Sequence, residues 1–244
     1  FFIEEFIKAL KELGAIERKC QQYQLTEQIE KPAIPSTIQD VIMARVDIIP
    51  EGAREVLRIG SAIEREFSHD LMKRLAHLPE KELLSHLSSL KDAELLYERG
   101  IYPESTYIFK HALTREVVYD SILAGKRKEL HERIANTIEQ IHEDDISNHY
   151  GVVATHYIAG ENYEKGAEYS RREAKKHRNS ALFKDAIEHQ KRSISCLEHL
   201  QQTETNQRKL IDARATLANY NLSLGYNSEA KYAVEPIMGL ALKL

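Results

Sequence analysis

The sequence lacks several features that would assign it to a protein class at once. Its 244 residues contain no apolar run near the roughly 20 residues of a membrane-spanning helix. No basic segment followed by an apolar stretch and a cleavage site opens the chain. Cys20 and Cys196 are its two cysteines, far apart and outside any metal-like spacing. We therefore expect a cytoplasmic protein with reduced cysteines and no metal site.

The sequence also lacks the motifs of the common nucleotide-binding and hydrolytic enzymes. No G-x-x-x-x-G-K-S/T stretch occurs, so no loop would cradle a triphosphate with its backbone N–H groups. No Gly-x-Ser-x-Gly elbow presents a nucleophile. We expect that this chain by itself is not an enzyme and holds no cofactor.

Composition and charge are those of a globular protein. Hydrophobic residues make up 42% of the chain and charged residues 30%. The net charge of −4 gives no general reason to expect binding to nucleic acid or to an anionic membrane.

The N-terminal residues FFIEEFIKALKELG carry an apolar stripe with helical spacing. A polar stretch follows, interrupted by Pro32 and Pro35, and is typical of a connector. An apolar face this strong at the start of the sequence leads us to expect a fragment of a longer protein, with residues 1–31 forming a helix and a linker.

Residues 32–125 are predicted to form helices and one β-hairpin. The strands correspond to LLYER and TYIFK, on either side of a turn at Gly100–Ser105. Helices precede the hairpin, and TREVVYDSIL follows it as another helix. This order is typical of a winged helix-turn-helix.

The charges of the predicted winged helix argue against DNA binding. In the helix before the hairpin, four acidic residues (Glu80, Glu82, Asp92, Glu94) outnumber two lysines (Lys81, Lys91). The negative and positive charges of the hairpin side chains sum to zero, whereas phosphate contacts need uncompensated cations. Nucleic acid is therefore not an expected partner.

Residues 126–244 are predicted to be all helix. Small residues recur twelve positions apart, in the pairs Ala154/Gly166, Ala174/Ala186 and Ala218/Ala230. Small residues at such positions let antiparallel helices approach closely, as in tetratricopeptide hairpins. We expect five helices in this stretch, near 148–160, 163–178, 181–199, 207–224 and 227–243. The predicted fold class is thus mainly all-α: a winged helix with one small hairpin, followed by tetratricopeptide-like antiparallel repeats.

Four stretches together resemble the signal-transduction ATPases with numerous domains (STAND): FFIEEFIKAL, PSTIQDVIMARVDIIPEGAREVL, SHLSSLKDAELLYERG and YIFKHALTREVVYDSIL. They look most like bacterial ATPase regions fused to class III adenylate/guanylate cyclases or to protein kinases. The resemblance implies that residues 1–31 are the tail helix and linker of an absent ATPase domain. It likewise implies a winged helix at 32–125 and repeats at 126–244. ATP or ADP would bind the parent protein.

The resemblance also implies a role for one histidine. In related ATPases of plant and animal immunity, the His of a Met-His-Asp motif after the wing reaches the β-phosphate of ADP. FKHALTRE lies at that junction, which makes His111 a candidate sensor of the nucleotide state. Lys110 replaces the Met and Ala112 the Asp, so one of the three motif residues is kept. The alternative is that His111 caps the hairpin or packs in the core.

Two further sets of residues are candidates for contacts with partners. Three residues are candidates for contacts with the ATPase domain: Phe2, Arg45 and Arg115. Three cations share one face of a predicted helix: Arg171, Lys175 and Arg178. This face would bind an acidic partner, or it is simply exposed to solvent.

His149 and His156 lie seven residues apart, roughly on one helix face over two turns. Zinc ligands on one helix are more often four apart, so an ordinary surface or partly buried pair is predicted.

The function these patterns favour is regulation and partner sensing in a multidomain signalling ATPase, with a protein or peptide bound at the repeats. Two alternatives remain. One is a DNA-binding transcription regulator with a repeat sensor domain, and the other is a stand-alone helical-repeat scaffold.

Overall fold

The computed structural model describes residue 7 and residues 16–19, 22–25 and 38–242. The chain divides into two compact units, Phe1–Leu123 and Ala124–Leu244. Of the predicted N-terminal helix, Ile7 is helical and the other residues, Phe2 among them, lie outside the described part.

A short β-ribbon lies where the sequence predicts a connector. Strands β1 (Ile16–Lys19) and β2 (Gln22–Leu25) pair antiparallel, with Ile16 opposite Leu25. The ribbon was missed because its sequence has neither the alternating apolar pattern nor the Gly-containing turn by which hairpins are recognised.

The rest of the first unit combines five helices with a three-stranded sheet. Its elements are α1 (Ile38–Ile48), α2 (Glu51–Ile63), β3 (Glu66–Ser68), α3 (His69–Ala76), α4 (Glu80–Asp92), β4 (Leu96–Arg99), β5 (Thr106–Phe109) and α5 (Ala112–Asp120). The Ser68 hydroxyl accepts a hydrogen bond from the Leu71 N–H at 3.2 Å and so caps the N-terminus of α3.

The predicted hairpin gains a third strand in the structure. The sheet order is β3-β5-β4, all antiparallel, with Leu96 opposite Phe109 and Glu66 opposite Ile108. Strand β3 has three residues, too few for an alternating pattern to be recognised. Phe67, Tyr107 and Phe109 are buried in this unit.

The second unit is a stack of antiparallel helices, and all but the last of them pack on a helix adjacent in sequence. Its helices are α6 (Ala124–Ile141), α7 (Tyr150–Ala159), α8 (Tyr163–Asn179), α9 (Phe183–His199), α10 (Glu204–Ser223), α11 (Asn227–Val234) and α12 (Met238–Ala241). The helix predicted for 227–243 is interrupted by a 3-10 turn at Glu235–Ile237, because Pro236 has no N–H to donate.

Three connections of the stack have the same backbone conformation. Glu161, Ala181 and Gly225 each have a positive φ, of 59°, 60° and 74°. In each turn the next N–H reaches back to a carbonyl five residues earlier, as in Asn162 N–H to Tyr157 O at 2.9 Å. Successive turns are 20 and 44 residues apart, as are successive small-residue pairs. The same turn conformation therefore recurs at irregular intervals along the sequence.

The small residues lie at the helix contacts, as predicted. Ala174 and Ala186 are fully buried. A Cβ on Gly166 would lie 2.9 Å from Ile158 Cγ1, so α7 and α8 approach too closely there for a larger residue. The predicted fold class, mainly helical with a small hairpin and tetratricopeptide-like repeats, is confirmed. No helix in the described ranges is both long and apolar enough to cross a membrane.

Candidate functional site

The predicted basic row lies on the exposed surface of α8. Arg171, Lys175 and Arg178 are all exposed. Their spacing of four and three residues places them on one face over two turns. Within residues 38–242, none of the three forms a salt bridge. Arg178 Nη1 donates a hydrogen bond to the neutral Asn179 Oδ1 at 3.3 Å.

Other cations of α8 are held by partners in the same unit. Lys165 Nζ donates to Glu139 Oε2 at 3.0 Å, and Lys176 Nζ donates to the Ser147 carbonyl at 2.7 Å. Arg172 pairs with Glu168 and lies over the Tyr169 ring, 5.2 Å from its centroid. Ion pairs thus compensate Lys165 and Arg172, whereas the predicted row and Lys176, whose partner is a neutral carbonyl, keep their positive charge within residues 38–242.

Glu139 anchors the inner side of α8 to α6. Tyr157 Oη donates to Glu139 Oε2 at 2.6 Å, and Tyr169 Oη donates to Oε1. Burial opposes ionisation, yet these hydrogen bonds and the one from Lys165 lower the pKa of Glu139 below its ordinary value. This ionised carboxylate fixes the helix that carries the basic row.

A cationic groove of about 450 Å³ runs along this surface. The residues that line it are Tyr150, Arg171, Arg172, Lys175, Lys176, Asn179 and Ser180. No carboxylate is among them, and the Arg172 guanidinium lies 5.7 Å from the Tyr150 ring centroid. The groove thus offers cations, amide and hydroxyl donors and one aromatic ring to an anionic ligand.

A second groove, of about 370 Å³, lies between α8 and α10 with α9 as its floor. Arg171 lines this groove too and so joins the two. Its walls include Leu197, Leu200 and Ala213, together with charged side chains of both signs. Sequence reasoning missed Tyr150 and Lys209 as lining residues, because they come from helices other than α8.

His111 lies at the junction between β5 and α5. It is the residue before α5, its side chain is half-buried, and its carbonyl accepts from the Thr114 N–H at 3.1 Å. Its side chain makes no capping hydrogen bond to the helix. The predicted position after the hairpin is therefore correct, whereas a role in nucleotide sensing stays a prediction.

The two candidate arginines of the first unit have partners inside that unit. Arg45 is 4% exposed, and its Nη2 donates to the Ala93 carbonyl at 2.8 Å. Burial lowers the pKa of Arg45, and the nearby Glu94 acts in the opposite direction. Arg115 Nε donates to the Ser61 carbonyl at 2.9 Å, which ties α5 to α2. Contact of either residue with another domain stays a prediction.

The cations around the hairpin are paired with acids. Lys91 pairs with Glu98, Arg99 with Glu66, and Lys110 with Glu94 at 2.7 Å. These three cations thus have acidic partners, whereas phosphate contacts need uncompensated cations. That the hairpin does not bind DNA stays a prediction.

His149 and His156 contact different neighbours in the structure. His149 stacks on His142 with ring centroids 3.6 Å apart. His156 is buried, and its Nδ1 lies 2.9 Å from Nδ1 of His131. The prediction of a surface or partly buried pair is correct for His149, which is half-buried and precedes α7, and wrong for His156, which is buried against α6.

Comparison with known proteins gives little information about function. No protein-family model matches the sequence, and no curated protein does. One matching solved structure is a Signal Transduction ATPase with Numerous Domains (STAND) protein with a tetratricopeptide repeat sensor from Pyrococcus horikoshii. The match has 13% identity and a TM-score of 0.39, and it covers 98% of this chain and 36% of that chain. This chain thus spans about a third of that protein, and a likeness this low transfers no function.

Proposed function

We propose that this chain is the regulatory, partner-sensing part of a multidomain signal-transduction ATPase, and that its repeats bind an acidic protein segment along α8. The observation that carries the binding site is the exposed row Arg171, Lys175 and Arg178, which has no acidic partner in residues 38–242. Stacked helical hairpins present extended surfaces of the kind that peptides occupy.

Charge and shape favour an extended acidic segment as the ligand. The row borders the carboxylate-free groove, which would take the acidic residues of the segment. Arg171 joins it to the groove between α8 and α10, where carboxylates such as Glu168 and Asp212 favour neutral residues of the ligand. Carboxylates would pair with the arginines in a bidentate manner, and apolar side chains would contact Leu197 and Leu200. The net charge of −4 opposes adsorption of polyanions elsewhere on the chain.

Binding to a fluorescein-labelled peptide rich in glutamate and leucine, followed by fluorescence anisotropy, tests the site. The double variant Arg171→Glu/Lys175→Glu should bind roughly tenfold more weakly. Two lost ion pairs of about 0.5–1 kcal/mol each sum to about 1–2 kcal/mol, a range that includes the 1.4 kcal/mol corresponding to a factor of ten. Lys184→Glu/Lys191→Glu on α9 is the matched control, because it changes the net charge equally.

Two outcomes would contradict the proposal. Equal losses in both double variants would show that net charge rather than the row attracts the peptide. Equal binding of a single-stranded DNA oligonucleotide of matched charge would show a general polyanion surface.

The first unit would pack on the nucleotide-binding domain of the parent protein, with His111 reporting the ADP or ATP state. Support comes from the order helix, strand, two helices and hairpin in α2–β5, which is the order of a winged helix, and from the position of His111. A partner shifts such an equilibrium only if its affinity differs between the two states.

The encoding gene upstream of Phe1 tests this part. A P-loop within roughly 200–300 residues, one domain's length, is expected. In that parent, His111→Ala should lower the amount of ADP retained after purification, while His149→Ala in the other unit should not. A start codon directly before Phe1 would refute the ATPase assignment and favour a helical scaffold.

A further inference from the structure

A cluster of three metal-ligating side chains joins α8 to α9, away from the basic row. Glu173 and His177 lie four residues apart on α8, and Glu173 Oε1 is 3.1 Å from His177 Nε2. His189 comes from α9, and its ring is nearly parallel to that of His177, with centroids 5.1 Å apart and an interplanar angle of 7°. One potential ligand atom from each residue lies within 4.8 Å of the other two.

We propose that Glu173, His177 and His189 bind one divalent transition-metal ion of the zinc class and thereby link α8 to α9. Two imidazole nitrogens and one carboxylate oxygen, with water as a fourth ligand, form a donor set that suits tetrahedral zinc. Ligand atoms of a tetrahedral zinc ion bonded at about 2.0–2.2 Å lie about 3.4 Å apart. Here Glu173 Oε1 and His177 Nε2 are 3.1 Å apart, and the three ligand atoms lie within 4.8 Å of one another, so binding requires the side chains to rotate towards the ion.

Two buried atoms of the cluster have unused hydrogen-bonding capacity. Glu173 Oε2 and His189 Nδ1 are both buried and have no hydrogen-bond partner in the described chain. A buried polar atom without a partner costs free energy, and each such atom calls for an explanation. A cation in the cluster would compensate the Glu173 carboxylate, whose side chain is 13% exposed.

A carboxylate also lies behind one of the proposed ligands. On the other side of the His177 ring, Nδ1 faces Asp185 Oδ2 at 4.0 Å. A carboxylate that hydrogen-bonds to the far nitrogen of a ligating histidine orients the ring, and Asp185 would serve this role after a small approach.

A rival cluster lies in the connection between α6 and α7, formed by His142, Asp145 and His149. It is more open to solvent, because Asp145 is 55% exposed, and both histidines already contact that carboxylate. All three residues belong to one short segment, so a metal there would not join two helices. The cluster on α8 and α9 is therefore the better site, and the other serves as its control.

The test uses the untagged, metal-free 244-residue chain and zinc chloride as the probe, in competition with a chromophoric chelator. We expect one equivalent of zinc to bind, and Glu173→Gln, His177→Gln and His189→Gln each to weaken the affinity. The loss should be at least the roughly 10- to 100-fold that removal of an outer-shell partner costs. His142→Gln/His149→Gln should bind zinc like the wild type.

Cobalt provides a second measurement that does not depend on comparing variants. The cobalt form should show the visible absorption of a tetrahedral site without a thiolate charge-transfer band. Glu173→Gln keeps the size of the side chain, and circular dichroism of each metal-free variant checks that it is folded. The proposal is overturned by absence of zinc binding, by unchanged affinity in folded variants, by loss of binding in the His142/His149 control, or by a thiolate band.

Discussion

The two units fill their cores with side chains of different size. In the first unit the sheet and its helices enclose large residues, with Phe109, Tyr107 and Leu87 at most 1% exposed. In the second unit the core cluster contains many alanines: Ala167, Ala174, Ala186, Ala213, Ala218, Ala230 and Ala233. Helices that cross closely leave room for a methyl group, whereas a sheet packed on helices leaves a gap that large side chains must fill. The first unit should therefore be sensitive to lost volume and the second to added volume.

The largest effect is expected for Phe109→Ala in the first unit. Phe109 is fully buried and makes an edge contact with Phe67, with ring centroids 6.2 Å apart. Its removal should lower the free energy of unfolding by about 3–5 kcal/mol, measured by urea denaturation. Tyr97→Ala on the neighbouring strand, 52% exposed, is the control and should change it by no more than about 0.5 kcal/mol. Similar losses for both would mean that Phe109 is not part of a packed core.

Added volume should harm the second unit. Ala174→Leu, at a fully buried position between α8 and its neighbours, should destabilise the chain by about 1–3 kcal/mol in the same assay. Ala215→Leu on the exposed face of α10 should be nearly neutral. If Ala174→Leu were neutral too, the helices would not be in the close contact that the repeat requires.

The repeated turns give a pair of predictions with opposite signs. Ala181 has a left-handed conformation that costs a residue with a Cβ about 1–2 kcal/mol, so Ala181→Gly should stabilise the second unit by about 0.5–1 kcal/mol. Gly225→Ala should destabilise it by a similar amount. A Cβ at Gly225 meets nothing within 4 Å, so this loss would come from the backbone alone. Shifts of the thermal midpoint in the same direction for both would contradict the equivalence of the two turns.

The units also differ in how they use surface charge. Around the hairpin of the first unit, lysines and arginines are paired with acids, whereas α8 of the second unit leaves a row of cations exposed. Charges that stabilise the fold and charges available to a ligand are thus segregated. The charges of the first unit should affect its stability, and those of α8 should affect binding.

The pH dependence of the first unit tests this division. Hydrogen bonds from Lys73 and then His69 lower the pKa of Glu80 from 4.5 to about 2. Because the pKa in the folded chain is the lower one, ionised Glu80 favours folding above about pH 4.5, and this contribution is lost as the pH falls towards 2.

Glu80→Gln should therefore flatten the dependence of the urea midpoint on pH between 4.5 and 2. Glu82→Gln on the same helix is the control, since within residues 38–242 its one acid–base contact is with His86 at 3.6 Å. A wild-type slope retained in Glu80→Gln would show that other groups dominate the acid response.

Much of the fold was predictable from local patterns in the sequence. Helical periodicity placed α2–α5 and α7–α10, and the β-branched and aromatic residues of TYIFK identified the hairpin. The same periodicity placed Arg171, Lys175 and Arg178 on one face, because residues three and four apart always share a helix face. These features depend on neighbours within a few residues, which the sequence shows directly.

What the sequence did not determine depends on residues that are distant along the chain. Strand β3 becomes recognisable through its pairing with β5, some forty residues later, and Arg45 is held by the Ala93 carbonyl. The spacing of Glu173 and His177 is visible in the sequence, but the packing of α8 on α9 brings His189 to them. Likewise, Lys91, Arg99 and Lys110 gain acidic partners only after folding, and only the folded chain shows that the basic row forms no ion pair within residues 38–242. Electrostatic and ligand-binding properties follow from distances between side chains in space, and the tertiary structure alone sets those distances.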